Sequence, residues 1–114
     1  MLGPEHPDTL ETRACLANYT GEAGDAAGAR DQYLVMLPIR ARVSGPEHPE
    51  TLAVRYSLAD WTGWAGDAAR ARDQYAALLP IAERVLGPKH PDTLATRGNL
   101  ADWAKEAGGA AENA

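Results

Sequence analysis

Gly3-Pro4-Glu5-His6-Pro7-Asp8-Thr9-Leu10 returns 42 residues later as Gly45-Pro46-Glu47-His48-Pro49-Glu50-Thr51-Leu52. After another 42 it returns as Gly87-Pro88-Lys89-His90-Pro91-Asp92-Thr93-Leu94. A motif recurring at a fixed interval of a few tens of residues marks a repeat array, in which each unit buries its apolar face on its neighbours. The 114 residues therefore read as one repeat domain: unit one at about 3–44, unit two at about 45–86, and an incomplete unit three at about 87–114.

Working outward from the motif, each unit reads as helix, tight turn, longer helix and loop. Pro7, Pro49 and Pro91 suit a first helical position, where the missing N–H costs nothing and φ is already helical. Asp8, Glu50 and Asp92 then place negative charge at the positive end of the helix dipole. His6, His48 and His90 fall at or beside the N-cap. The first helices continue through Leu10–Tyr19, Leu52–Trp61 and Leu94–Trp103, with Leu16-Ala17, Leu58-Ala59 and Leu100-Ala101 facing inward. Gly24, Gly66 and Gly108 are expected to end them, and Asp25 and Asp67 to cap the helices that follow.

In unit two the second helix carries Ala71, Tyr75, Leu78, Ala82 and Val85 at alternating steps of four and three, which is one helical face. Unit one repeats the stripe as Ala29, Tyr33, Met36, Arg40 and Val43, with Arg40 expected at its edge, stem packed and head in water. Pro38 and Pro80 predict a bend or break inside these helices. Unit three stops after its first helix, and its last few residues are expected to fray. The fold class is all-α, a solenoid of about two and a half repeats with five main helices in the order A1-B1-A2-B2-A3.

These residues together resemble the tetratricopeptide repeat family. Leu58, Ala59, Gly66, Ala71 and Tyr75 match its helix-turn-helix pattern, as do Leu16, Ala17, Gly24, Ala29 and Tyr33, and then Leu100, Ala101 and Gly108. The 42-residue period exceeds the family's common period of about 34. With the Gly-Pro-Glu-His-Pro connector it is similar to the kinesin-light-chain-like branch, frequent in bacterial regulators. One departure stands out. Tyr19, Trp61 and Trp103 precede the family's usual aromatic position by one residue, turning the ring by about 100°. They read either as core or as interface.

Composition excludes several functions. The net charge of −5 and pI near 5.1 lack the basic footprint of a nucleic-acid binder. No stretch approaches the ~20 apolar residues of a membrane span, and Met1–His6 lacks the layout of a signal peptide. The expectation is a cytoplasmic protein. Cys15 is the one cysteine, so no disulfide forms within the chain, and it reads as a buried structural thiol. Two nitrogens on one zinc stand within about 4 Å of each other, whereas packed helices are ~8–10 Å apart. The three histidines therefore share no metal, and no cofactor is implied. Ser44 and Ser57 lack a nucleophile's setting, and no phosphate loop or metalloprotease helix is present, so the chain reads as no enzyme.

The resemblance implies a concave groove built from the first helices, where Asn18, Glu22, Tyr56, Asp60, Trp64, Asn99 and Asp102 are the candidate peptide-binding residues. Amides and acids there would bond a peptide's polar groups while rings grip its side chains. Trp64 is expected to be sheltered by a neighbour or a partner. The family's carboxylate clamp finds only Asn18 in place; Ala14, Asp60, Ala95 and Asn99 occupy its other sites. The implied partner is a protein or peptide of basic or amphipathic character. Arg13, Arg55 and Arg97 read as inter-helix ion pairs with acids such as Asp31 or Asp73. Because unit three lacks a second helix, Leu100, Trp103 and Ala104 form a candidate self-association face, and a homodimer is the alternative reading. A further alternative is a scaffold segment of a larger bacterial signalling protein.

Overall fold

The structure, a computed structural model, describes residues 3 and 6–112. Five helices follow in order: α1 (Pro7–Glu22), α2 (Ala26–Ser44), α3 (Pro49–Trp64), α4 (Ala68–Val85) and α5 (Pro91–Glu112). Each packs on the next, and α3 also touches α5, giving an elongated body of 52 × 33 × 19 Å. The chain is all-α, and its helices pack sequentially as helical repeats do.

The motif that opens each unit is a joint. Proline begins α3 and α5, and the backbone N–H groups of Glu50 and Asp92 donate to Nδ1 of His48 and His90 at 3.1 and 3.0 Å. These imidazoles satisfy helix N-termini, which is why they stand where they do. The threonine of the motif has a role that periodicity does not disclose. Thr51 and Thr93 are buried, and their hydroxyls donate to the carbonyls of Gly45 at 2.6 Å and Ala82 at 3.3 Å. Each hydroxyl ties a new helix to the end of the preceding one. Arg84, in the last turn of α4, meets Glu47 of the joint before α3, with one of its two contacts at 3.0 Å. That hydrogen bond and charge hold the Glu47 carboxyl below its ordinary pKa.

The turns inside units one and two follow the caps. Gly24 and Gly66 each take φ of 105°, a left-handed conformation that a Cβ would strain. Asp25 and Asp67 then accept from the backbone N–H of Gly28 and Arg70 at 2.8 and 3.0 Å. Gly108 behaves differently and corrects the expected stop, because α5 runs through it to Glu112. Gly109 stands where units one and two have the capping aspartate, so nothing stabilises a new helix start there. The expected fraying of the final residues falls at 113–114, outside the described residues.

Two apolar clusters form the core. Ala17, Tyr33, Met36, Val54 and Leu58 make the first; Leu52, Ala59, Tyr75 and Leu78 make the second, with Leu100 and Trp103 packed against it. Ala29, Tyr33 and Met36 are buried as the stripe predicts, but Val43 is exposed. Arg40 departs from its expected place at the edge. It is only 4% exposed, and its guanidinium meets Glu50 at 2.8 Å, so the head is buried along with the stem. Pro38 and Pro80 break neither helix, since α2 and α4 continue through them.

Leu16 and Cys15 are exposed, against expectation, because they lie on the outer side of α1. The counterpart of Leu16 in unit two, Leu58, is buried against α2. Ala101 is likewise exposed, whereas Ala17 and Ala59 are fully covered within helix pairs α1–α2 and α3–α4. Arg97 makes the inter-helix pair expected of it, reaching Glu83 of α4 at 3.5 Å, whereas Asp31 and Asp73 bind their neighbours Arg30 and Arg72.

Candidate functional site

The first helix of each unit, α1, α3 and α5, lines one side of the array. Along it the large aromatics and the small residues interlock. The Trp61 ring lies over Gly21, and the Trp103 ring over Gly63; a Cβ at either glycine would sit 2.5 Å from the indole. The indole N–H groups donate to the residue three before each glycine, Trp61 to Asn18 at 3.2 Å and Trp103 to Asp60 at 3.4 Å. Trp61 and Trp103 therefore join consecutive units, while Tyr19 is 67% exposed on the outer side of α1. The signal was present in sequence as glycines at 21 and 63, each 40 residues before its tryptophan.

Most of the predicted groove residues serve this internal lattice. The Asn18 side-chain oxygen also accepts from the Tyr33 hydroxyl at 2.7 Å, and Asp60 from the Tyr75 hydroxyl at 3.2 Å. The Asn99 amide donates to the hydroxyls of Tyr56 at 2.6 Å and Tyr75 at 3.2 Å. The rings of Tyr56 and Tyr75 meet edge to face with centroids 5.4 Å apart. Burial raises the pKa of Tyr33, Tyr56 and Tyr75 above the ordinary value, and the Asp60 charge adds to the rise for the latter two.

Glu22, Trp64 and Asp102 remain exposed, as does Glu106. Glu22 stands apart at the end of α1, and the other three border a cleft of about 630 Å³ between α3 and α5, together with Lys105. Among the described residues no neighbour shelters Trp64 from solvent. It is 66% exposed, although its ring stands edge-on to Trp103 with centroids 5.5 Å apart. Leu100, Trp103 and Ala104 are half-buried, and Leu100 and Trp103 pack on the core. The side of α5 left uncovered instead carries Ala101 and Leu94, the latter 49% exposed.

Among the described residues, no cluster of three His, Cys, Asp or Glu side chains is placed to hold a metal ion. Among them too, no helix is long and apolar enough to cross a membrane. The cleft offers rings, carboxylates and one amine.

Two stretches match models of the tetratricopeptide repeat, residues 9–50 and residues 58–112. The structure is similar to crystal structures of a kinesin-light-chain-like protein from Podosopora anserina with nearly identical TPR-like repeats, and of a glutamine-to-methionine variant of that protein. In each case the TM-score is 0.85 and the identity 27%, over 95% of this chain and 51% of the other. The chain thus spans about half the length of those structures. No match was found among curated proteins.

Proposed function

Because the chain belongs to the tetratricopeptide repeat family, whose repeats are generally protein–protein interaction modules, we propose that the α1–α3–α5 face captures a segment of a partner protein. One observation carries the reading: a tryptophan two-thirds exposed beside a second tryptophan, above a cleft bordered by acids. Large aromatics held rigid at such a place supply binding energy at little entropic cost. Asp60, Asp102 and Glu106 outnumber Lys105, so the segment is basic or amphipathic, an extended strand or a helix.

Asp60 also holds Tyr75 and Trp103, so substitutions there mix binding with stability. The discriminating variants are Trp64→Ala and Asp102→Asn. Peptides selected from a displayed random library on the wild-type protein should be rich in Lys, Arg and apolar residues. Trp64→Ala should weaken them at least tenfold, about 1.4 kcal/mol or more. Asp102→Asn should flatten their salt dependence, and neither variant should alter the far-UV circular dichroism. Peptides that bind Trp64→Ala as tightly as wild type would count against this face.

The uncovered side of α5 favours a second reading, self-association. Leu94 and Ala101 are exposed there, while their counterparts Leu52 and Ala59 are buried. Light scattering over a hundredfold dilution should then show a dimer that Ala101→Glu converts to monomer. A strict monomer throughout the series leaves peptide capture alone.

A further inference from the structure

Each position in one unit has a counterpart 42 residues on, so the chain contains its own reference for what fills each junction. Between units two and three, the Tyr56 ring covers Tyr75 edge-on and its hydroxyl receives the Asn99 amide. Between units one and two, the counterparts of Tyr56 and Asn99 are Ala14 and Ser57. The surroundings persist: Tyr33 replaces Tyr75, Met36 replaces Leu78, and Asn18 replaces Asp60. Both halves of the filling pair are therefore small at the first junction.

The first junction holds a pocket of about 260 Å³ whose lining includes Ala14, Asn18, Tyr33, Met36, Val54 and Ser57. At the second junction a hollow of about 220 Å³ persists, but Tyr56 borders it and closes it off from Tyr75 and Asp60, whose counterparts Tyr33 and Asn18 stay open to the first pocket. We propose that the first-junction pocket is a subsite for a tyrosine side chain of a basic partner peptide, seated where Tyr56 sits in the next unit. This rests on the reading of the concave face as a peptide groove and names what that groove selects.

The chemistry of the lining fits a phenol. The Tyr33 ring offers an edge-to-face partner, and the Met36 thioether makes favourable contacts with aromatic rings. The Ser57 hydroxyl stands in for the Asn99 amide as partner to an incoming hydroxyl, and it both donates and accepts. Charge selects the flanking residues. Glu11 is exposed at the pocket, and the one basic group lining it, Arg40, is already engaged by Glu50 at 2.8 Å. The mouth therefore favours Lys or Arg beside the tyrosine.

The test uses blocked peptides as probes, followed through amide shifts of the protein by NMR. Acetyl-Lys-Tyr-Lys-amide should give saturable shifts at Ala14, Val54 and Ser57. It should bind at least tenfold more tightly than acetyl-Lys-Leu-Lys-amide, and more tightly than acetyl-Glu-Tyr-Glu-amide. The double variant Ala14→Tyr/Ser57→Asn transplants the pair from the second junction and should abolish binding while keeping the fold. Should that variant not fold, Ser57→Ala gives the answer, with affinity falling at least threefold toward that of acetyl-Lys-Phe-Lys-amide. Absence of saturable shifts, equal affinity for the leucine probe, or undiminished binding by the folded double variant or by Ser57→Ala overturns the proposal. Failure here is separable from failure of the wider groove: library peptides sensitive to Trp64→Ala but indifferent to Ala14→Tyr/Ser57→Asn sink the tyrosine subsite alone.

Discussion

Tyr75→Ala is expected to remove about 3–5 kcal/mol of stability, the range for deleting a large buried aromatic. A domain of this size holds about 5–15 kcal/mol in total, so the thermal midpoint should fall by roughly 15–30 °C. The size of the effect follows from position. Tyr75 is fully buried, and its ring contacts Tyr56 while its hydroxyl receives from Asn99 of α5. The same hydroxyl has one proton to offer, shared between the Asp60 carboxylate and the Tyr56 carbonyl, each at 3.2 Å. Removing the ring loosens α3, α4 and α5 together. Tyr75→Phe isolates the hydroxyl and should cost about 1–3 kcal/mol, because buried polar groups lose their partner. Tyr19→Ala, at an exposed ring, should change stability by no more than about 0.5 kcal/mol. Urea unfolding followed by circular dichroism checks all three, and a Tyr75→Ala protein as stable as Tyr19→Ala would defeat the account.

The same residue sets an alkaline limit. Burial, then the Asp60 charge, raises the Tyr75 pKa above its ordinary value of 10.0. Above about pH 10 the unfolded chain has released this proton and the folded protein has kept it. The unfolded state then binds fewer protons, so stability falls as pH rises, and it is fully present only below the unfolded pKa. Each phenol kept protonated in the fold contributes a slope of about 1.4 kcal/mol per pH unit. Between about pH 10 and 11 Tyr75→Phe should show a shallower loss than wild type by one such proton. Equal slopes would show that Tyr75 ionises as freely in the fold as out of it.

The joints between units were legible because local chemistry determines them. A proline at the first helical position, an acid after it and a glycine with positive φ need no distant partner, and these held at Pro49, Glu50, Gly45 and Gly87, as they did at Gly24 and Gly66 in the turns within units. Gly108 misled because the turns of units one and two pair their glycine with a capping aspartate, Asp25 or Asp67, whereas Gly109 stands in that place here and α5 continues. Arg40 misled for a different reason. Its burial depends on Glu50, ten residues away in the next unit, and no periodicity reveals that pairing. Of the candidate groove, Asp102 was readable as surface and Trp64 was not, its size predicting shelter, while Asn18, Asp60, Tyr56 and Asn99 bond to side chains 15 to 43 residues distant. Position on a helix face gave their neighbourhood. Only the packing of successive units shows that their polar atoms are engaged.

Gly63→Val is expected to destabilise the protein by about 3 kcal/mol, at the upper end for overpacking a well-filled contact. Glycine inside a helix is ordinarily a liability of about 0.5–1 kcal/mol relative to alanine, so Gly63 in the last turn of α3, still within the helix, calls for a reason. At Gly63 the reason is the Trp103 indole, whose ring atoms would stand 2.5 Å from an added Cβ. An indole is rigid, and this one is held from both ends, by its N–H on Asp60 and by Trp64 edge-on. It can yield only if α5 moves off α3. Gly98 supplies the control within the same chain, because it is helical and exposed, and an added Cβ there meets nothing within 4 Å. Gly98→Ala should therefore stabilise by about 0.5–1 kcal/mol, the ordinary gain in helix propensity. A double-mutant cycle completes the argument. If the ring is the obstacle, Gly63→Val should cost far less in a Trp103→Ala background, with a coupling of about 1–3 kcal/mol. Additive losses from the two substitutions would place the cost of the added valine somewhere other than the tryptophan seat.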